Sequence, residues 1–288
     1  MDFVGPVRGQ IEPPSPGSLD FENGQPFGRG VEWPMPRVDL GQARALDTEF
    51  LSEQQDLLVE MAFVDRQPNA GVDAVGGPAY FREKMPVIKI VVFDMDDVLC
   101  RYRIERRLAR LASWSGQSPD AIHAAIWRSG FEDEAERGVV SADDYLRGFG
   151  ERMGYPLSAA QWVEARRLAI EPDLAVLSLA RQLSADRPVG MFTNNPFLLK
   201  RHIAEVFPAA ADLFGTRAVF SAELGRSKPD PEAFRRLAVR LEFAPDEILF
   251  FDDDATYVAG AREAGLPAYQ VGQAADVLAG LAVHGLEP

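Results

Sequence analysis

The 288 residues contain one cysteine, Cys100, and three scattered histidines, His123, His202 and His284. A single thiol excludes an internal disulfide framework and a cysteine-rich zinc site. The histidines have no HExxH-like spacing and read as surface or capping residues rather than metal ligands. No apolar run reaches the roughly 18–20 residues of a membrane span. Positive charge is scarce too: 30 Lys and Arg face 44 Asp and Glu, a net charge of −14. That balance argues against nucleic acid or an anionic membrane as the main partner. The opening, Met-Asp-Phe and then prolines, lacks the charged-then-apolar order of a signal peptide, so the expected location is the cytoplasm.

Hydrophobic residues make up 47% of the chain, enough for a substantial core. Residues 1–84 differ from the rest, with Pro13-Pro14, Pro16-Gly17, Pro34, Pro36 and Gly76-Gly77-Pro78 and little periodicity. They read as a largely irregular extension. One amphipathic helix is expected between Asp39 and Asp65, through Leu46, Phe50, Leu57, Leu58 and Met61. It would dock on the main domain or, less simply, on a protein partner.

From Pro86 the pattern alternates strand and helix. Val87–Phe93 is an apolar, β-branched run of buried-strand type. Further strands are expected at Val189–Phe192, Ala218–Phe220, Ile248–Phe251 and Ala268–Val271, with helices at Leu174–Leu183 and Glu232–Leu241. Residues 103–169 break this alternation with helical signals only. Ser118-Pro119, Ser141 with Asp144, and Ser158 are helix starts. The organisation expected is α/β: a Rossmann-like parallel sheet flanked by helices, built from 85–102 and 170–288. A small all-helical cap, 103–169, is inserted after the first strand.

Chemistry concentrates at the carboxyl ends of the expected strands, where open α/β sheets bind ligands. The first strand ends in Asp94-Met95-Asp96-Asp97, and the run Ile248–Phe251 ends in Asp252-Asp253-Asp254. Taken alone, Asp94 and Asp96 can as well punctuate a turn or cap a helix. Two acidic strand ends in one sheet, however, are difficult to explain without a cation, because buried like charges repel and lose hydration. Thr193-Asn194 can donate to phosphate oxygens or simply cap the next helix. Lys228, stiffened by Pro229 and Pro231, can neutralise a phosphoryl oxygen or sit in solvent.

In this order, DxDxV, hydrophobic-TN, SKPDP and FFDDD, the four motifs resemble those of the haloacid dehalogenase superfamily of phosphotransferases, from about Pro86 to Val271. The resemblance implies that Asp94 is the nucleophile and forms an aspartyl-phosphate. Asp96 would protonate the leaving oxygen and later activate water. Thr193, Asn194 and Lys228 would hold the phosphoryl group. Mg²⁺ would bind Asp94, the Asp96 backbone carbonyl and Asp253, with Asp252 behind them. A free Asp has a pKa of about 3.9, so Asp94 is expected to be ionised without help. Asp96 is expected to be crowded by acids and burial.

An acid at position 96 favours phosphoryl chemistry over dehalogenation, because expelling halide needs no proton donor. The family's caps close over small soluble substrates. Gly138–Leu157 and the later motifs are similar to sugar-phosphate phosphatases acting on glucose 1-phosphate. The implied activity is a Mg²⁺-dependent phosphatase of a small phosphorylated metabolite. A phosphomutase, and more remotely a phosphoryl receiver or a scaffold, are the alternatives. Two positions depart from the pattern: Asp97 replaces a common glycine, and Tyr257 stands where an acid or Asn is usual. Arg101 and Arg103 can meet a substrate anion or hinge the cap; Trp127 and Phe131 can stack on a sugar or fill the cap core.

Overall fold

The computed structural model describes residues 87–288. The helix expected at Asp39–Asp65 lies outside them. Five parallel strands form the sheet: β1 (Ile90–Phe93), β4 (Val189–Thr193), β5 (Ala218–Phe220), β6 (Ile248–Asp252) and β7 (Ala268–Gln270). Their spatial order is β5-β4-β1-β6-β7. The first strand is therefore central, and the order reverses beside it. That reversal is where an open sheet leaves a crevice at its carboxyl edge.

Both faces of the sheet are covered, which is why its strands are apolar without alternation. Val91, Phe93, Leu249 and Phe251 point into one core. Ile90, Val92, Ile248 and Phe250 point into the other. The first core is closed by α6 (Leu174–Leu183), α7 (Phe197–Val206), α8 (Pro208–Phe214) and α12 (Ala274–Val283). The second is closed by α9 (Ser221–Leu224), α10 (Pro231–Leu241) and α11 (Ala255–Glu263). Each buried aromatic contributes about 1.5–3 kcal/mol of transfer free energy. Phe93 and Phe251 stack across adjacent strands with centroids 5.5 Å apart.

Between β1 and β4 the chain leaves the sheet. A short strand, β2 (Cys100–Tyr102), pairs antiparallel with β3 (Ile170–Pro172), and the cap helices hang from this ribbon. They are α1 (Ile104–Ser115), α2 (Pro119–Ile126), α3 (Phe131–Glu136), α4 (Ala142–Met153) and α5 (Ala159–Leu168). The ribbon was not expected; its strands are three residues long and carry Arg101, Glu171 and Pro172, so neither reads as apolar or alternating. The helix starts are where the sequence placed them. Ser118 accepts from the Ala121 N–H with Pro119 in the first turn, and Ser158 and Gln161 form a capping box. Ser141 caps α4, but the shorter Asp144 bonds the Ser141 hydroxyl instead of completing the box.

The cap has its own polar core. Tyr145 donates to buried Glu132 at 2.6 Å. Buried Arg107 donates to the Tyr102 hydroxyl at 3.0 Å and lies against the rings of Trp127, Trp162 and Phe149. Phe131 stacks on Tyr145 with centroids 5.3 Å apart. Phe131 is thus buried in the cap, while Trp127 is half-buried with its edge against Phe149. Among the described residues no helix is long and apolar enough to cross a membrane.

One glycine ties the fold to the lysine loop. A Cβ on Gly260, in α11, would lie 2.1 Å from the Pro229 carbonyl oxygen. Gly260→Ala is therefore expected to destabilise the chain by about 1–3 kcal/mol, read as a lower urea midpoint; an unchanged midpoint would show that the loop gives way freely.

Candidate active site

The site is assembled at the carboxyl edge beside β1. The Asp94 N–H donates to the Phe251 carbonyl at 2.8 Å, which continues the β1–β6 ladder past β1. Asp94 therefore stands level with Asp252, the last residue of β6. Between the two carboxylates sits Lys228. Its Nζ is 2.8 Å from Asp94 Oδ1 and 2.6 Å from Asp252 Oδ2. All three side chains are buried. The lysine is not the solvated residue its loop permits.

Asn194 delivers it. The Asn194 amide donates to the Lys228 carbonyl at 3.0 Å and accepts from the Lys228 N–H at 2.9 Å. This pair of hydrogen bonds, made in the manner of a strand pair, engages the Asn194 Oδ1 and one of the two Nδ2 hydrogens. The second Nδ2 hydrogen is left over as a donor. Tyr257 lies 4.9 Å beneath the Lys228 ammonium, ring centroid to Nζ. A π face thus stands where an acid or Asn is usual.

The second acidic triplet divides its labour. Asp252 holds the lysine and accepts from the Asp254 N–H at 3.0 Å. Asp254 caps α11 through the Thr256 N–H. Asp253 is left facing the crevice, half-buried. Asp94, Asp252 and Asp253 offer carboxylate oxygens that all lie within 4.8 Å of one another. Three hard oxygen donors converging at this spacing suit a divalent cation such as Mg²⁺.

The first triplet divides too. Asp97 adopts a left-handed backbone, φ 61°, and its Oδ1 accepts from the Tyr102 N–H at 3.1 Å. A glycine is common at such a turn because no Cβ opposes positive φ. Asp96 turns away from Asp94 toward the cap. Arg166 of α5 donates to both of its oxygens, at 2.7 and 3.0 Å. Asn195 Nδ2 lies 3.3 Å from Asp96 Oδ2 and donates to Thr193 Oγ1 at 2.7 Å. The expectation for Asp96 counted only acids and missed this buried guanidinium. Arg166 and Asn195 carry no sequence signal of their own, since each pairs with Asp96 across the fold.

Arg101 and Arg103 make their hydrogen bonds around the β2–β3 ribbon. Arg101 donates to the carbonyls of Gly272 and Asp97, at 2.6 and 3.2 Å, and Arg103 bonds Glu171 across the ribbon at 3.1 Å. From the cap, the Glu136 carbonyl accepts from Ser221 Oγ at 2.6 Å, and Ser221 Oγ also receives the Asn195 N–H.

Electrostatics follow from burial. Burial pushes the Asp94 carboxyl well above its ordinary value; Lys228 pulls it back, while Asp252 pushes it further up. The expectation of an ordinary ionised aspartate overlooked this desolvation. Burial also works against the Lys228 ammonium, but Asp94 and Asp252 outweigh it and hold the lysine charged above its usual range. Asp253 is pushed up to about 6 by burial, then by Asp252 and Asp97. Glu136 is pushed up to about 9 by burial, then by Glu132 and Asp133.

A family model described as haloacid dehalogenase-like hydrolase matches residues 88–265, more than half of the chain. The chain belongs to the haloacid dehalogenase-like hydrolases. It is similar to Phosphatase MT3486 of Mycobacterium tuberculosis, 30% identical over 209 residues, covering 64% of this chain and 87% of that one. It is also similar to the D-ribitol-5-phosphate phosphatase of Bacteroides thetaiotaomicron, 25% identical over 195 residues, covering 66% and 95%. A HAD-family enzyme of the same bacterium, solved with magnesium and inorganic phosphate, superposes with a TM-score of 0.55 at 22% identity, over 64% of this chain and 93% of that one. The likeness to that structure is one of fold. Hydrolysis of phosphoric monoester bonds is the enzyme class these relatives share with the present hydrolase.

The lysine bridge makes a stability prediction. Lys228→Met leaves two buried carboxylates face to face and should cost about 3–5 kcal/mol. Adding Asp252→Asn should return part of that loss. Urea unfolding of both variants measures it; equal stability of wild type and Lys228→Met would exclude the bridge.

Proposed function

We propose that this hydrolase is a Mg²⁺-dependent phosphatase of small soluble phosphomonoesters, sugar phosphates among them, working through an aspartyl-phosphate on Asp94. The observation that carries the reading is the convergence of Asp94, Lys228, Asp252 and Asp253 at one sheet edge. A nucleophile that must approach an anionic phosphate needs its repulsion removed, and positioned cations do that. Mg²⁺ held by Asp94, Asp253 and the Asp96 carbonyl, with Asp252 behind them, would supply the second positive centre.

The chain's own residues account for the rest. An Asp94 oxygen attacks phosphorus, and the ester bond breaks. Asp96 gives a proton to the departing oxygen, then takes one from water as that water attacks phosphorus. Free phosphate leaves and the Asp94 carboxylate returns. Lys228 neutralises the phosphoryl oxygens, Thr193 supplies a hydroxyl, and Asn194 a further N–H donor. For Asp96 to act, its carboxyl has to share Arg166 with the incoming ester. The cap helices exclude bulk water while this happens.

The test is turnover of p-nitrophenyl phosphate and a panel of sugar phosphates by the full-length chain. Activity should need Mg²⁺, be lost with a chelator, release free phosphate, and fall at least ~10³-fold in Asp94→Asn. Full turnover in that variant would remove the mechanism; isomerisation without free phosphate would make the enzyme a mutase.

The Asp253 shift adds a pH dependence. A carboxyl titrating near 6 holds its proton below that pH, and Mg²⁺ then has to displace it. The Mg²⁺ concentration for half-maximal activity should therefore rise as pH falls from 7 to 5. Asp97→Asn, which removes one of the charges raising Asp253, should move that rise to lower pH. A Mg²⁺ requirement constant across this range would contradict the assignment.

A further inference from the structure

Asn195 belongs to none of the four motifs, yet its side chain joins two residues that do. Its Nδ2 donates to Thr193 Oγ1 at 2.7 Å and lies 3.3 Å from Asp96 Oδ2, while its Oδ1 accepts from Arg166 Nη2 at 3.4 Å. The residue is buried. Its main chain is held as well, because the Asn195 N–H donates to Ser221 Oγ at 3.1 Å.

Charge fixes which way this amide faces. A carboxylate only accepts hydrogen bonds and a guanidinium only donates them. With Asp96 on one side and Arg166 on the other, the amide nitrogen is committed to Asp96 and the amide oxygen to Arg166. The opposite orientation would set oxygen against oxygen and N–H against N–H. Thr193 lies on the nitrogen side, so its Oγ1 is the acceptor toward Asn195. A hydroxyl owns one proton, and that proton must then point elsewhere. Among the described residues no oxygen takes it, since the bond from Asn195 is the only one that Thr193 Oγ1 makes there.

We infer that Asn195 is a positioning residue that makes the Thr193 hydroxyl a proton donor to the phosphoryl group. The inference rests on the phosphatase reading, which brings a phosphoryl oxygen to Thr193 at the carboxyl end of β4. Asp96, which meets the same amide nitrogen, keeps 26% of its side chain exposed, so the open crevice borders this group of side chains. Without the amide, the hydroxyl is free to turn its proton toward Asp96 and offer the phosphate a lone pair instead. A lone pair facing an anionic oxygen repels it, whereas an O–H already aimed needs no reorganisation when the phosphate arrives.

Inorganic phosphate isolates the contact, because its binding takes no proton from Asp96. The readout is its inhibition constant against p-nitrophenyl phosphate turnover by the full-length chain with Mg²⁺. Asn195→Leu should weaken phosphate by ~10-fold. The same substitution should cost a similar factor in Thr193→Ser, which keeps the hydroxyl, and less than ~2-fold in Thr193→Val, which lacks it. A merely structural role for Asn195 would weaken phosphate by one factor in all three backgrounds, and that result overturns the inference. Unchanged phosphate binding in Asn195→Leu overturns it too. If Asn195→Leu does not fold, the wild type decides alone. A neutron structure with Mg²⁺ and phosphate should show the Thr193 hydroxyl deuteron directed at a phosphate oxygen; a deuteron directed at Asn195 or Asp96 refutes the assignment. No turnover of p-nitrophenyl phosphate by the wild type removes the phosphatase reading and this inference together, whereas turnover with equal losses in the three backgrounds removes the inference alone.

Discussion

A single ammonium shared by two buried carboxylates organises this molecule. Asp94 and Asp252 end adjacent strands at the same level, and two buried carboxylates so close together repel unless a counter-charge lies between them. Lys228 supplies it from a loop that belongs to neither strand. That requirement explains features otherwise unrelated. Asn194 grips the Lys228 backbone from β4, Gly260 lacks the Cβ that would exclude Pro229, and Phe192, Phe250 and Tyr257 wall the ammonium with rings. Three segments distant in sequence are held in register by one point charge.

The cap is bound to this centre through polar contacts as well as packing. Arg166 reaches Asp96, and the Glu136 carbonyl meets Ser221, whose hydroxyl also receives Asn195. Asn195 in turn donates to Thr193. A continuous set of hydrogen bonds therefore runs from two cap helices to the end of β4. The Arg166 pair ties the geometry of the proposed acid–base group to the position of the cap.

The sheet was legible because its strands are buried on both faces, so each appears as an unbroken apolar run ending in a polar residue: Phe93 before Asp94, Phe192 before Thr193, Phe251 before Asp252. The cap starts were legible because Ser118, Ser141 and Ser158 satisfy orphan N–H groups locally. What could not be read depends on partners far away. The β2–β3 ribbon is stable only because Arg101–Tyr102 finds Ile170–Glu171, about seventy positions on. Arg166 looks like the solvated neighbour of Arg167 until Asp96 is brought to it. The motif assigned Asn194 to phosphate and gave no sign that its amide also grips the lysine loop. The desolvation that raises Asp94 comes from the assembled fold and has no counterpart in the motif.

The overall charge has a consequence for recognition. At −14, with half of the excess in residues 1–84, the chain repels a phosphate ester at long range. Salt screens that repulsion beyond about 8 Å, but it leaves no attractive field to steer the substrate. The cations near the site do not supply one, since Lys228 and Arg166 are buried and each is already matched by acids. Capture must therefore rest on short-range contacts made after the ester has entered the crevice.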